Sequence, residues 1–188
     1  MSYYDKNAQK FFNETVNADM SPHYTEFLKL VSKNGCILDA GCGSGRDSKM
    51  FKSLGFNVIA IDESSEMCKL ASKYSGINVK NLRFQDIQFV NMFDGIWASA
   101  SLLHVPANEL KTVLSNLNKS LKGNGILYAS FKYGSFEGFR NGRFFNDLTE
   151  VTARELFEKN DFKVIKTWKT QDARPDRDEK WINILVKK

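Results

Sequence analysis

At 188 residues and 42% hydrophobic side chains, the chain has the size of one globular domain with a sizeable core and falls short of two, so one fold carries the whole function. No apolar run approaches the length that spans a bilayer, and the opening MSYYDKNAQKFF lacks the apolar stretch of a signal peptide; a cytoplasmic protein with no membrane partner is expected. The formal charge of +5 is unevenly placed, with 11 basic and 11 acidic side chains in residues 1–100 against 16 and 11 in residues 101–188, a bias that favours an anionic partner for the second half.

Ala8, Phe11, Phe12 and Val16 fall at helical spacing and predict a short first helix. Pro22 opens a second through Phe27, Leu28 and Val31, stopped by Asn34-Gly35. Cys36 to Ala40 reads as a buried strand running into a glycine turn. Helix and strand then alternate: helix Asp47 to Leu54, strand Asn57 to Ile61, helix Ser65 to Tyr74, strand Asn78 to Phe84, strand Phe93 to Ser99, helix Pro106 to Leu121 and strand Gly125 to Phe131. A glycine-rich charged loop, Lys132 to Asp147, precedes a helix near Thr152 to Lys159. Strands Lys163 to Thr170 and Trp181 to Val186 close the chain, joined by QDARPDRDEK as an antiparallel hairpin. The order calls for a doubly wound α/β domain. Trp97, Trp168 and Trp181 lie within strands and are expected in the core.

Glycines 41, 43 and 45 follow a buried strand and open a helix, which suits a ligand lying against backbone that lacks β-carbons. A dinucleotide fingerprint would need glycine at 46, where this chain has Arg46, and that disfavours a dehydrogenase. Asp39, just before the loop, suits an ammonium group. Asp62 ends the second strand, 23 residues later, where an acid accepts from both hydroxyls of a ribose. Asp86 follows the third strand, placed for an adenine amino group, with Ile87 beside it to pack on the ring. Cys36, Cys42 and Cys68 have no paired close spacing, so neither a disulfide framework nor a metal site is expected.

With those residues in register, DAGCGSGRDSKMFKSLGFNVIAID resembles the first two motifs of class I S-adenosylmethionine-dependent methyltransferases. FDGIWASASLLHVP resembles their fourth-strand motif and LKGNGILYAS their glycine turn into the fifth strand, over roughly residues 22–131. The nearest likeness is to small bacterial tellurite-resistance-type enzymes, which share Arg46 after the loop. The resemblance implies a single Rossmann-like seven-stranded sheet, order 3-2-1-4-5-7-6 with strand 7 antiparallel. Within it, 1–33 would be a helical cap, 34–131 the donor-binding core and 132–188 a loop, helix and hairpin. It implies S-adenosyl-L-methionine as donor and S-adenosyl-L-homocysteine as product. Asp39, Gly41, Cys42, Gly43, Gly45 and Arg46 would surround the methionine end, Asp62 the ribose, Asp86 and Ile87 the adenine, and Ala98 and Ser99 the sulfonium. No Asn/Asp-Pro-Pro-Tyr/Phe follows the fourth strand, and DARPD has Ala173 where the tellurite-type segment has histidine before arginine.

A small-molecule acceptor is the expectation, either anionic or a soft chalcogen or metalloid nucleophile. An RNA-directed enzyme or a nucleic-acid-binding module using the basic half is the alternative, although no RNA-binding motif or basic tract supports it. His104, directly after the fourth strand, is the candidate base, and Arg174 the second candidate catalytic group. Lys132, Arg140, Arg143 and Arg177 are further cations for the acceptor side, and Tyr3, Tyr4, Phe11 and Phe12 suit an aromatic lid.

Overall fold

The computed structural model describes residues 2–174 and 177–188. A seven-stranded sheet forms the centre. Its strands are β1 (Cys36–Ala40), β2 (Asn57–Asp62), β3 (Lys80–Asn81), β4 (Phe93–Ala98), β5 (Leu121–Lys132), β8 (Lys163–Gln171) and β9 (Lys180–Lys187), and they lie side by side as β3-β2-β1-β4-β5-β9-β8. The first five are parallel, and β9 runs antiparallel to both β5 and β8. The expected order holds once the last two strands are counted as sixth and seventh.

Two cores follow from the alternation of side chains along each strand. Leu38, Ile96, Leu127 and Ile184 face α5 (Ala107–Ser120) and α6 (Glu150–Glu158), whose Leu110, Val113, Leu114, Leu117, Ala153 and Phe157 are buried against them. Their neighbours Ile37, Trp97, Tyr128 and Leu185 face the other way, onto Tyr24 and Phe27 of α2 (Ser21–Leu28) and Phe51 of α3 (Arg46–Ser53). Helix α4 (Ser65–Ser75) covers Ala60 of β2 with Cys68 and Ala71; Ser64 caps its start and Gly76, at φ 67°, its end. The first helix, α1 (Tyr3–Thr15), starts at a Ser2/Asp5 capping box and packs on α4.

Four boundaries differ from the sequence expectations. Helix α2 ends at Leu28, short of Asn34-Gly35. The third strand spans two residues where Asn78 to Phe84 was expected, because the chain turns into a 3₁₀ segment at Phe84–Asp86. β5 begins at Leu121, ahead of the Lys122-Gly123-Asn124 turn. The expected loop after β5 holds a hairpin, β6 (Glu137–Arg140) and β7 (Arg143–Asn146), whose two-residue turn is Asn141-Gly142 with both φ positive. Trp97 is core, whereas Trp168 and Trp181 are only partly buried. Among the described residues no helix is long and apolar enough to cross a membrane.

Candidate active site

The cavity opens at the C-terminal ends of β1, β2, β4 and β5, where the strands of such sheets deliver their loops. Leaving β1, the chain turns through Gly41, Gly43 and Gly45, all in the left-handed region. A β-carbon at Gly41 would stand 2.6 Å from that of Ser101, so this glycine lets β1 and the loop after β4 meet; one at Gly43 would meet only Phe11, at 3.4 Å. Asp62 is held by two backbone amides, Gly43 N–H to Oδ2 and Ser64 N–H to Oδ1, each at 2.9 Å. Burial pushes its carboxyl up to about 6. The carboxylate lines the cavity with each oxygen keeping one lone pair, an arrangement that suits the two hydroxyls of a ribose.

Asp39 is 2% exposed and lies behind the loop, with Ser48 O–H donating to it at 2.5 Å. Burial, then the neighbouring Asp47 carboxylate, raises its pKa well above the usual range. Asp47 faces the cavity instead. Burial alone would raise the Asp47 pKa; Arg46, ahead of the hydrogen bonds from Tyr24 and Trp97, brings it below the usual range. Arg46 grips Asp47 through Nε and Nη2 at 2.6 and 3.0 Å and donates Nη1 to the Thr15 carbonyl at 3.0 Å, tying the end of α1 to the glycine loop. Cys42 lines the cavity with its thiol pushed up by burial.

Beyond β4, Ser99, Ala100 and Ser101 form the opposite lip. Ala100 adopts φ 49°, unusual for a residue with a side chain; its N–H donates to Ser130 Oγ at 2.8 Å, and Ser101 O–H to the Ala40 carbonyl at 2.7 Å. Ala98 is buried in the sheet behind this lip. At the β2–β3 end, Leu82, Arg83 and Phe84 face the cavity. Asp86 faces outward, paired with Arg83 at 2.8 Å, and Ile87 is packed in the core. Asp86 lines an adjoining recess with Glu63, Asn81, Leu82 and Arg83, three of which also line the cavity.

Helix α1 lies over the opening, with Tyr4 and Phe11 facing in. His104 bridges two covering segments: its Nδ1–H donates to the Phe144 carbonyl at 2.7 Å, and Nε2 lies 2.7 Å from Tyr4 Oη. A carbonyl only accepts, so the neutral ring carries its proton on Nδ1 and Nε2 accepts from Tyr4. Burial lowers the His104 pKa to about 4. Tyr3 and Phe12 sit at the lid's flanks, edge-on to Tyr4 and Tyr74. In the far half of the cavity, Lys132 pairs with Glu179, Arg174 with Asp172 at 2.9 Å, and Arg177 with Glu14 at 3.5 Å. Arg140 pairs with Asp147 outside the cavity lining.

Residues 37–125 match the family model described as a methyltransferase domain. Over 162 residues the chain is 30% identical to an uncharacterized methyltransferase of Staphylococcus carnosus, covering 78% of each protein. The chain belongs to the class I S-adenosylmethionine-dependent methyltransferases. The methyltransferase shares its fold with the 1,6-didemethyltoxoflavin-N1-methyltransferase of Burkholderia thailandensis, solved with 1,6-didemethyltoxoflavin and S-adenosylhomocysteine bound. There the TM-score is 0.80 at 21% identity, over 98% of this chain and 83% of that one. TehB from Haemophilus influenzae superposes with a TM-score of 0.75 at 16% identity, over 97% and 67%.

Of the residues expected from sequence, the fold brings Gly41, Cys42, Gly43, Arg46, Asp62, Ser99, His104 and Arg174 to this methyltransferase's cavity. Asp39, Gly45 and Ala98 stand behind it, Asp86 lines the recess beside it and Ile87 is packed in the core. Of the DARPD segment, Pro175 and Asp176 lie outside the described residues. Sequence reasoning missed His23, Tyr128, Thr170 and Asn183, which line the far half from α2, β5, β8 and β9. They belong to segments whose periodicity marks only packing, and nothing local distinguishes them.

Proposed function

We propose that this methyltransferase transfers the methyl group of S-adenosylmethionine to a small-molecule acceptor held beneath α1. The observation that carries the reading is a single cavity running from the glycine loop and Asp62 to Trp181 and Asn183, roofed by Tyr4 and Phe11. Asp62 fits the donor's ribose, the loop and the Ser99–Ser101 lip its methionine end, and Leu82 and Phe84 its adenine. The bound donor supplies an electrophilic methyl on a sulfonium, so the protein's part is alignment, exclusion of water and, for some acceptors, removal of a proton.

For a hydroxyl or amine acceptor, His104 does not act alone, since its free lone pair already takes the Tyr4 proton. The acceptor proton passes to Tyr4 Oη as the Tyr4 proton moves to His104 Nε2, leaving an imidazolium bonded at both nitrogens, to Tyr4 and to the Phe144 carbonyl. A soft chalcogen or metalloid acceptor, as in the tellurite-type reading of the sequence, needs no such relay. Methyl incorporation from labelled donor, measured with cell extract passed through a low-cutoff membrane and treated with nuclease, tests the small-molecule reading. Incorporation is expected to survive both treatments; its loss to nuclease would move the acceptor to RNA or DNA.

A further inference from the structure

The cations of the cavity are almost all matched. Arg46 holds Asp47, Arg83 holds Asp86, Lys132 holds Glu179, Arg174 holds Asp172, and Arg177 reaches Glu14 and Glu179. Arg143, at the start of β7, is the exception: among the described residues no carboxylate lies within 4.0 Å of it. Its Nε is sealed from solvent with no hydrogen-bond partner, and Nη1 has only the Tyr4 hydroxyl, at 3.4 Å. Aromatic rings flank it, Tyr3 at 5.1 Å and Phe145 at 5.0 Å from the guanidinium carbon. Those faces attract the cation weakly and leave its in-plane donors unmet. A partly desolvated guanidinium lacking an anion is costly, and its planar fork can hold the two oxygens of a carboxylate, as it can those of a phosphate, through paired N–H···O bonds.

We propose that Arg143 is the recognition site for a carboxylate on the methyl acceptor, so that the substrates of this cavity are small carboxylic acids. The inference rests on the methyltransferase reading of the cavity and narrows it. Tyr4 fixes where the rest of the acceptor goes, because Arg143 Nη1 and the relay hydroxyl are neighbours: an acid held by Arg143 places its nucleophile within reach of Tyr4 Oη and under the glycine loop. Lys132, Arg174 and Arg177, already neutralised, would shape the wall without competing for the charge.

The test is thermal unfolding of the full chain saturated with S-adenosylhomocysteine, titrated with acetate, succinate and benzoate, each beside its neutral amide, and with inorganic phosphate. At least one carboxylate should raise the melting temperature saturably while its amide does not. Arg143→Gln should raise the half-saturating concentration at least tenfold, Arg143→Lys by less, and both should keep the shift given by S-adenosylhomocysteine, which shows that they fold. A carboxylate effect equal to its amide's, confined to phosphate, or unchanged in Arg143→Gln would overturn the proposal. Loss of the S-adenosylhomocysteine shift in the unaltered chain would instead overturn the underlying reading of the cavity.

Discussion

Asp62 couples donor binding to pH. Its folded carboxyl titrates at about 6 against 3.8 unfolded, so its contribution to the stability of the ligand-free chain is present below the lower value and lost as pH rises through the upper one. Donor binding runs the other way, because only the ionised carboxylate accepts from both ribose hydroxyls. Calorimetry should therefore find S-adenosylhomocysteine bound roughly tenfold more weakly at pH 5 than at pH 7.5, a ratio that Asp62→Asn should flatten. Asp62→Ala should weaken both donor and product by about 1.5–3 kcal/mol, and an unchanged affinity would remove Asp62 from the site. Gly41→Ala forces a side chain to φ 77° and against Ser101, and denaturant unfolding should show a loss of about 2 kcal/mol or more. Gly43→Ala meets only Phe11 and should cost about 1–2 kcal/mol while loosening the lid. With a hydroxyl or amine acceptor, Tyr4→Phe and His104→Ala should each lower kcat by about 10² or more, and a kcat unchanged from the unaltered enzyme in either variant would dismiss the relay.

At the scale of elements, α1 is pinned at both ends: Ser64 O–H donates to Asp5 at 2.6 Å, and Arg46 holds the Thr15 carbonyl. Loosening these ties would free the helix that carries Tyr4 and Phe11 over the cavity. Asp5→Ala should accordingly raise the dissociation rate of S-adenosylhomocysteine in stopped-flow displacement, and a rate unchanged by that substitution would mean that α1 is no gate. How legible each element was depends on what fixes it. β1 and β4 are buried almost throughout and β2 carries the apolar run Val58 to Ile61, so their sequences announce them, and Asp62 was found because a strand end carries it to a known place. β3 is an edge held by two residues, with little burial to impose a pattern, and its extent was overestimated from sequence, just ahead of Asp86 and Ile87. The β6–β7 hairpin hid among Gly134, Gly138 and Gly142, which together read as a loop, although Asn141-Gly142 between two aromatic pairs was the available signal. Arg143 was named from sequence as one cation among several; its lack of a carboxylate partner depends on where distant carboxylates fall, which no local pattern records.

For the whole molecule, the cavity lies at one end of the sheet while the two cores lie on its opposite faces. Saturation with donor to about 100 times its Kd should add ~2.7 kcal/mol to folding stability and raise the melting temperature by roughly 5–10 °C for a chain of this size. The placement of the indoles has an optical consequence. Trp97 is fully buried, stacked on Tyr128 at 4.0 Å with its N–H on Asp47, and should emit at short wavelength in every liganded state. Trp181 stands in the cavity wall with its N–H on Asp172 at 3.1 Å, where an entering acceptor displaces water from its ring. Intrinsic fluorescence should therefore report acceptor occupancy without a label, as a blue shift that Trp181→Phe abolishes and that leaves the Trp97 component in place.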